Sequence, residues 1–352
     1  MINALLFNDT SYEKHHGSQL VVRQIYALAK EAGISISRAC PMRHDWRKNE
    51  QLKADIRRAD LCLINGEGTL HDDAPQALML GELASYCRQH GVPCFLINSV
   101  WQRNEQLLAH AGDFAGIYLR DEFSQRELSA QGVACKVVPD LTLSYSHQPA
   151  AREQRSGYLV SDSVFSTRTL EAWAEVCRAN RADIGFLSIK NLPIIQAGKG
   201  FPDYCIKSIA KLFQSSRGWL QSHFRRYPAA LPPEQIGMLR WRYSALGLAR
   251  FLRRLSTSSG VVTGRFHCVT LCFVTRTPFY AIGSNTHKIQ ALLLEAGLPG
   301  RIQESYGAAL AAREEIGFSA VERQHLEAFL LDCQRRAKDM FAEIVERARA
   351  FK

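Results

Sequence analysis

The chain has 352 residues, 46% of them apolar and 22% charged, with a formal net charge of +10. That is roughly two domains' worth of ordinary globular composition, which excludes a disordered tail, a coiled coil and a collagen-like rod. The longest apolar runs, such as Ala4–Phe7, fall far short of the ~20 residues a membrane-spanning helix needs. Met1–Asp9 has no basic region and reaches an acidic residue early, so no secretory leader is expected and a cytoplasmic location is. The ten cysteines are dispersed, with no Cys-x-x-Cys spacing, which suits a reducing compartment and argues against a disulfide framework or zinc knuckle.

Along the first half one unit recurs: a short apolar or β-branched run, a loop, then an amphipathic helical pattern. The runs are Ile2–Phe7, Ile34–Arg38, Leu61–Ile64, Cys94–Ile97, Gly116–Leu119 and Cys135–Val138. Such alternation predicts a parallel sheet with helices on both faces. The polar, Pro-bearing stretch 147–157 reads as a linker. The pattern restarts with Tyr158–Ser161, Ile184–Ser188, Val261–Thr263 and Phe279–Ile282, and the chain closes on one long helical pattern from Ala320 to Phe351. The expected architecture is α/β: two doubly wound, Rossmann-like domains (1–150 and 157–319) facing a cleft, with a C-terminal helix (320–352) packing back across the hinge.

In open α/β sheets ligands bind beyond the carboxyl ends of the strands. Four strand ends stand out: Asn8-Asp9 with His15-His16-Gly17-Ser18, the run Asn65-Gly66-Glu67-Gly68-Thr69-Leu70-His71-Asp72-Asp73, Gly264-Arg265-Phe266-His267, and Gly283-Ser284-Asn285-Thr286-His287-Lys288. Gly264 lets backbone approach closely, Arg265 offers a planar fork for carboxylate or phosphate, and His267 opens a helix whose N–H groups attract anions. Ser284 and Asn285 are good N-caps for a helix from Lys288, which would make a second anion pocket. The same residues also suit a plain turn, an Arg265 paired with an acid and a satisfied loop histidine. Arg120-Asp121 follows a strand and opens a helix, where Asp121 caps N–H groups and Arg120 serves either the fold or the cleft. Glu67 and His71 have a metal-like spacing, but the flanking glycines oppose the helix it would need, so no metal is expected.

These segments, in order, resemble the polysaccharide pyruvyltransferases: His16-Gly17-Ser18, Leu63-Ile64-Asn65-Gly66-Glu67-Gly68-Thr69-Leu70, Ile117-Tyr118-Leu119-Arg120-Asp121-Glu122-Phe123-Ser124, Val138-Pro139-Asp140, Thr263-Gly264-Arg265-Phe266-His267, Thr277-Pro278 and Lys288-Ile289. The resemblance implies a twin-Rossmann, glycosyltransferase-B-like fold and transfer of the enolpyruvyl unit of phosphoenolpyruvate to a sugar as a cyclic ketal. Phosphoenolpyruvate is then a co-substrate, and no separate cofactor is implied. Its Arg-x-His signature falls on Arg265 and His267 as the donor site and catalytic pair. Around that pair, Gly264, Ser284, Asn285 and Lys288 are the expected donor contacts. His16, Gly17, Asn65, Gly66, Glu67 and Asp72, on the first domain, are the expected acceptor side. Glu67 departs from the pattern, which has glycine there.

The expected acceptor is a glycan or lipid-linked glycan. A nucleotide-sugar glycosyltransferase of the same architecture is the alternative, and nucleic acid is not an expected partner. Between Phe201 and Leu255 ten basic residues meet only Asp203 and Glu234. There Leu248, Phe251, Leu252 and Leu255 share a helical face with Arg250, Arg253 and Arg254 beside it, which reads either as a core helix or as one that docks on an anionic membrane surface.

Overall fold

A computed structural model of the protein describes residues 1–11, 13, 15–147, 154–190 and 245–351. The apolar runs of the first half form a parallel sheet in the order β2-β1-β3-β4-β5-β6: β1 (Ile2–Asp9), β2 (Ile34–Pro41), β3 (Leu61–Glu67), β4 (Cys94–Ser99), β5 (Gly116–Leu119) and β6 (Lys136–Val137). A second parallel sheet has the order β11-β10-β9-β7-β8: β7 (Tyr158–Ser163), β8 (Ile184–Phe186), β9 (Gly260–Gly264), β10 (Phe279–Ile282) and β11 (Ile302–Gln303). At two residues β11 is too short to carry a periodic signal, and sequence reasoning missed it. β3 runs on past Ile64 because Asn65 and Glu67 pair with Ile97 and Ser99, so residues read as loop are strand.

Both faces of the first sheet are covered, which is why its strands are apolar without alternation. Leu5, Phe7, Cys62, Ile64, Cys94 and Leu96 face α2 (Glu50–Arg58) and α3 (Pro75–Gln89), while Ala4, Leu6, Leu61, Leu63, Phe95 and Ile97 face α1 (His16–Glu31). α4 (Glu122–Ser129) follows β5 and α5 (Ser166–Ala179) follows β7. The second sheet is flanked by α6 (Ala245–Ser256), α7 (Phe266–Thr275), α8 (Lys288–Glu295) and α9 (Tyr306–Ala311).

Two helices join the units. Every residue of α7 is buried, the mark of an interior helix. Thr142 Oγ1, beside the first sheet, donates to Thr270 Oγ1 on α7 at 2.7 Å. α10 (Ala320–Ala350) starts in a capping box of Ser319 and Glu322. Leu326, Leu330 and Cys333 of α10 lie in the second core, and Ala337, Met340, Phe341, Ile344 and Val345 in the first.

Residues 148–153 of the expected linker and 201–244 of the basic segment lie outside the described residues. The remainder of that segment corrects one expectation. Leu248, Phe251, Leu252 and Leu255 are buried in the second core, so the face of α6 that would enter a membrane is the face that fastens it to protein, leaving Arg250 and Arg253 at the surface. Among the described residues no helix is long and apolar enough to cross a membrane.

Candidate functional site

Each sheet reverses its winding between two neighbouring strands, β1 and β3 in the first and β7 and β9 in the second, and the crevices beyond those strand ends are where such sheets take ligands. At the first edge three strands end on residues in the left-handed region: Asn8 (φ 59°), Glu67 (φ 44°) and Asn98 (φ 54°). Asparagine tolerates that conformation, and the two amides are used: Asn8 Nδ2 donates to the Asn65 carbonyl at 2.6 Å and Asn98 Nδ2 to Asn65 Oδ1 at 3.2 Å. Asn98 Oδ1 in turn accepts the Leu141 N–H at 3.0 Å.

Glu67 occupies a glycine-like conformation with a long side chain, strain of about 1–3 kcal/mol that its surroundings must hold in place. The Thr10 hydroxyl and Asn65 Nδ2 (3.2 Å) donate to its Oε1, and Ser18 Oγ donates to Oε2 at 3.2 Å. This is the position at which the family pattern has glycine. Gly66 faces inward: a Cβ there would lie 2.2 Å from Ser99 Oγ, so glycine is required by the close approach of β3 to β4. Asp72 is not brought to the cluster either. Its carboxylate is taken by Arg103 and by His71 Nδ1 (2.8 Å) on an exposed loop.

At the second edge, a Cβ on Gly264 would lie 2.7 Å from the Tyr306 hydroxyl and 2.9 Å from Ser163 Cβ, so glycine is required by packing. Arg265 is paired: its Nε and Nη2 donate to Asp162 Oδ2 at 2.8 and 2.7 Å, with 15% of the side chain left exposed. His267 Nε2 lies 3.5 Å from Asp140 Oδ2. Burial alone would raise the Asp140 carboxyl, but His267, Arg120 and Thr142 outweigh it and hold it well below the usual carboxylate range. Ser284 and Asn285 do not cap α8, whose N-cap is His287; instead Asn285 Oδ1 accepts from Ser284 Oγ at 3.1 Å and from Lys288 Nζ at 2.9 Å.

The two edges meet around Gly68. A Cβ on Gly68 would lie 3.7 Å from Arg120 Nη2 and 4.0 Å from Lys288 Nζ, so its absence leaves a cradle between a cation of the first unit and one of the second. Arg120 is held by Asp140 Oδ2 at 3.2 Å and lies 4.6 Å over the Phe266 ring. Among the described residues no carboxylate stands within ion-pair distance of Lys288. Desolvation by its surroundings, then the nearby Arg120 and Arg265, push its ammonium down to about 7, with Glu67 and Asp140 only partly compensating.

Of the expected acceptor histidine and glycine, Gly17 is at the interface and His16 is not in the cradle. A Cβ on Gly17 would fall 2.2 Å from His267 Cβ. His16 is buried against the Phe251 ring at 4.6 Å, and burial pushes it down to about 4. His15, the N-cap of α1, is the one that meets His267, ring centroids 5.2 Å apart, while its Nδ1 accepts the Ser18 N–H at 3.3 Å. Sequence reasoning thus brought Arg265, His267, Lys288, Gly17, Asn65 and Glu67 to one region. It missed Asp162, near the carboxyl end of β7, and the part played by Asp140, which follows β6.

Residues 15–286 match the family model described as polysaccharide pyruvyl transferase. A search of curated protein sequences returns no match. Among solved structures the chain resembles UDP-N-acetylglucosamine 2-epimerase from Rickettsia bellii, with a TM-score of 0.51, 11% identity, and 99% of this chain and 98% of that one covered. UDP-GlcNAc 2-epimerase from Methanocaldococcus jannaschii gives a TM-score of 0.50 at 7% identity, covering 91% and 94%. At such identities the likeness speaks to the two-domain, glycosyltransferase-B-like fold.

Proposed function

The chain belongs to the polysaccharide pyruvyl transferase family, and on that premise we propose that it transfers the enolpyruvyl unit of phosphoenolpyruvate to a sugar as a cyclic ketal. The observation that carries this reading is the cradle at Gly68, where Arg120 and Lys288 converge from opposite units beside Arg265. A donor bearing both a carboxylate and a phosphate needs more than one cationic clamp, and charge-assisted contacts of this kind are the strong ones.

The reaction needs a proton delivered to the methylene carbon of the donor, attack of a sugar hydroxyl on C2, departure of phosphate with the C2–O bond, and closure by a second hydroxyl. The two hydroxyl protons balance the one gained by carbon and the one that leaves with phosphate. Arg120, Arg265 and Lys288 hold the anion, and His267, whose Nε2 lies 3.5 Å from the Asp140 carboxylate, is the acid. Glu67 borders the acceptor side. The acceptor is a surface-polysaccharide sugar or its lipid-linked precursor.

Incubation with phosphoenolpyruvate and a panel of free and lipid-linked glycans, read by phosphate release and by mass gain on the sugar, tests the proposal. Release of phosphate coupled to a pyruvyl-modified sugar is expected. No release with phosphoenolpyruvate, together with transfer from a nucleotide sugar, would overturn it in favour of a glycosyltransferase.

A further inference from the structure

The cations of the cradle come from different units, and each is next in sequence to a residue that reaches across the cleft. Asp121 follows Arg120, and His287 precedes Lys288. His287 Nε2 lies 3.0 Å from Asp121 Oδ1, in a contact where the carboxylate is 3% and the imidazole 20% exposed. The Asp121 carboxylate is fixed in turn by the Ser124 N–H (2.8 Å) and Ser124 Oγ (3.0 Å) at the start of α4. The Phe123 ring sits 5.2 Å from the His287 ring. Two turns further along α8, Glu295 Oε1 accepts the Glu122 N–H at 2.7 Å, placing a carboxyl of the second unit on the N-terminus of a helix of the first.

We propose that the Asp121–His287 pair, buttressed by Glu295 on the Glu122 N–H, is a positioning latch that sets the spacing of Arg120 and Lys288 across the cleft and thereby the affinity for the anionic donor. Each latch residue is one peptide unit from a cradle cation, so loss of the pair lets the spacing between the two clamps change while Asp140 still holds Arg120 and Asn285 still holds Lys288. His287 supplies no interaction to α8 as a side-chain cap, since no such bond is made, which leaves the contact with Asp121 as its polar contact among the described residues. The inference rests on the donor reading above for its kinetic consequence, and on geometry alone for the contact.

The test uses the full chain as parent, His287→Ala and His287→Gln, the last with an amide N–H able to reach the Asp121 oxygen. Two measurements are made: steady-state kinetics with phosphoenolpyruvate, and amide hydrogen exchange across 121–126 in the ligand-free protein. A latch shared by the bound ground and transition states acts on binding, so His287→Ala is expected to raise KM for phosphoenolpyruvate at least ~10-fold with kcat nearly unchanged. In the same variant exchange at Glu122 and Phe123 quickens, and Gln restores most of both effects. A lowered melting temperature with unchanged KM and unchanged exchange would assign His287 a purely structural part and overturn the latch. If the parent proves not to use phosphoenolpyruvate, the donor reading fails and exchange alone decides: protection at 122–123 that survives His287→Ala overturns the latch.

Discussion

The carboxyl edges of the two sheets face each other and are built on opposite plans. On the first, the polar groups are spent on one another: Asn8, Asn65 and Asn98 form a buried chain of amides, and Glu67 accepts from Thr10, Asn65 and Ser18. On the second, Arg265 has Asp162 but remains partly exposed, and Lys288 reaches only the neutral Asn285 among the described residues. A buried network of mutual hydrogen bonds in a low-dielectric setting rigidifies, whereas cations short of counter-charge gain most from an arriving anion. On the proposed donor reading the first edge is a frame and the second the surface that takes the anion, with Arg120 contributed by the first. The comparison can be attacked where the edges touch, on the second edge, and on the first, in that order of effect.

The largest loss is expected from Gly17→Ala, because its Cβ would fall 2.2 Å from His267 Cβ and 2.7 Å from its Nδ1. α1 and α7 must separate to relieve that overlap, pulling the two edges apart. Overpacking costs about 1–3 kcal/mol in an ordinary core. Here the same displacement also moves the proposed acid, so kcat/KM should fall at least ~100-fold, about 2.7 kcal/mol in transition-state stabilisation. Steady-state kinetics and a melting curve check it, and a variant with parental kcat/KM would show that the contact between the edges is dispensable.

On the second edge, Lys288→Met removes one charge-assisted contact and should weaken phosphoenolpyruvate by about 1.5–3 kcal/mol. The pH dependence sharpens this. Crowding pushes the ammonium to about 7 in the free protein, below its ordinary value, so Lys288 loses its proton as pH rises through 7. A bound anion favours the charged form and draws a proton back. Donor affinity of the parent should therefore decline above pH 7, by at most about tenfold per unit, with proton uptake on binding. Calorimetry in buffers of different ionisation enthalpy reads the uptake, and Lys288→Met should abolish it. Equal uptake in both proteins would place the titrating group elsewhere.

How far the sequence disclosed these two plans differs by edge. The strands were legible because burial on both faces leaves apolar runs, and the long final helix because its helical pattern runs on from Ala320 to Phe351. Arg265, His267 and Lys288 were legible because strand ends in such sheets meet ligands. The frame was harder to read. Left-handed conformations at Asn8, Glu67 and Asn98 leave no periodic trace, and Asp72 attracts notice by its type while Arg103 and His71 occupy it. The difference between His15 and His16 was also invisible: His15, the extended N-cap of α1, lies against His267, while His16, its first helical residue, lies against Phe251. α6 stayed open between two readings for a related reason, since an amphipathic stripe with arginines beside it looks the same whether protein or lipid covers it.

The smallest effect is expected on the first edge, at Glu67. If Glu67 activated the acceptor hydroxyl as a general base, Glu67→Gln would cost about 10²–10⁴-fold in kcat. The geometry supports a different outcome, because both carboxylate oxygens already accept protein hydrogen bonds and the side chain is 8% exposed. Glutamine keeps the oxygen that Thr10 and Asn65 use, and Ser18 can turn its hydroxyl to accept from the new amide. The change is then a charged acceptor for a neutral one, about 1 kcal/mol of stability, with kcat reduced less than ~10-fold. Glu67→Gly separates the remaining contributions. It relieves the left-handed backbone at φ 44° but takes away the acceptor that the Thr10 and Ser18 hydroxyls use. If the carboxylate is there to brace the frame, the glycine variant should be less stable than the glutamine variant in spite of the relieved strain. Chemical denaturation of the two, set beside their kcat values, decides it: a stable Glu67→Gly with collapsed kcat would make Glu67 part of the chemistry and end the division of labour between the two edges.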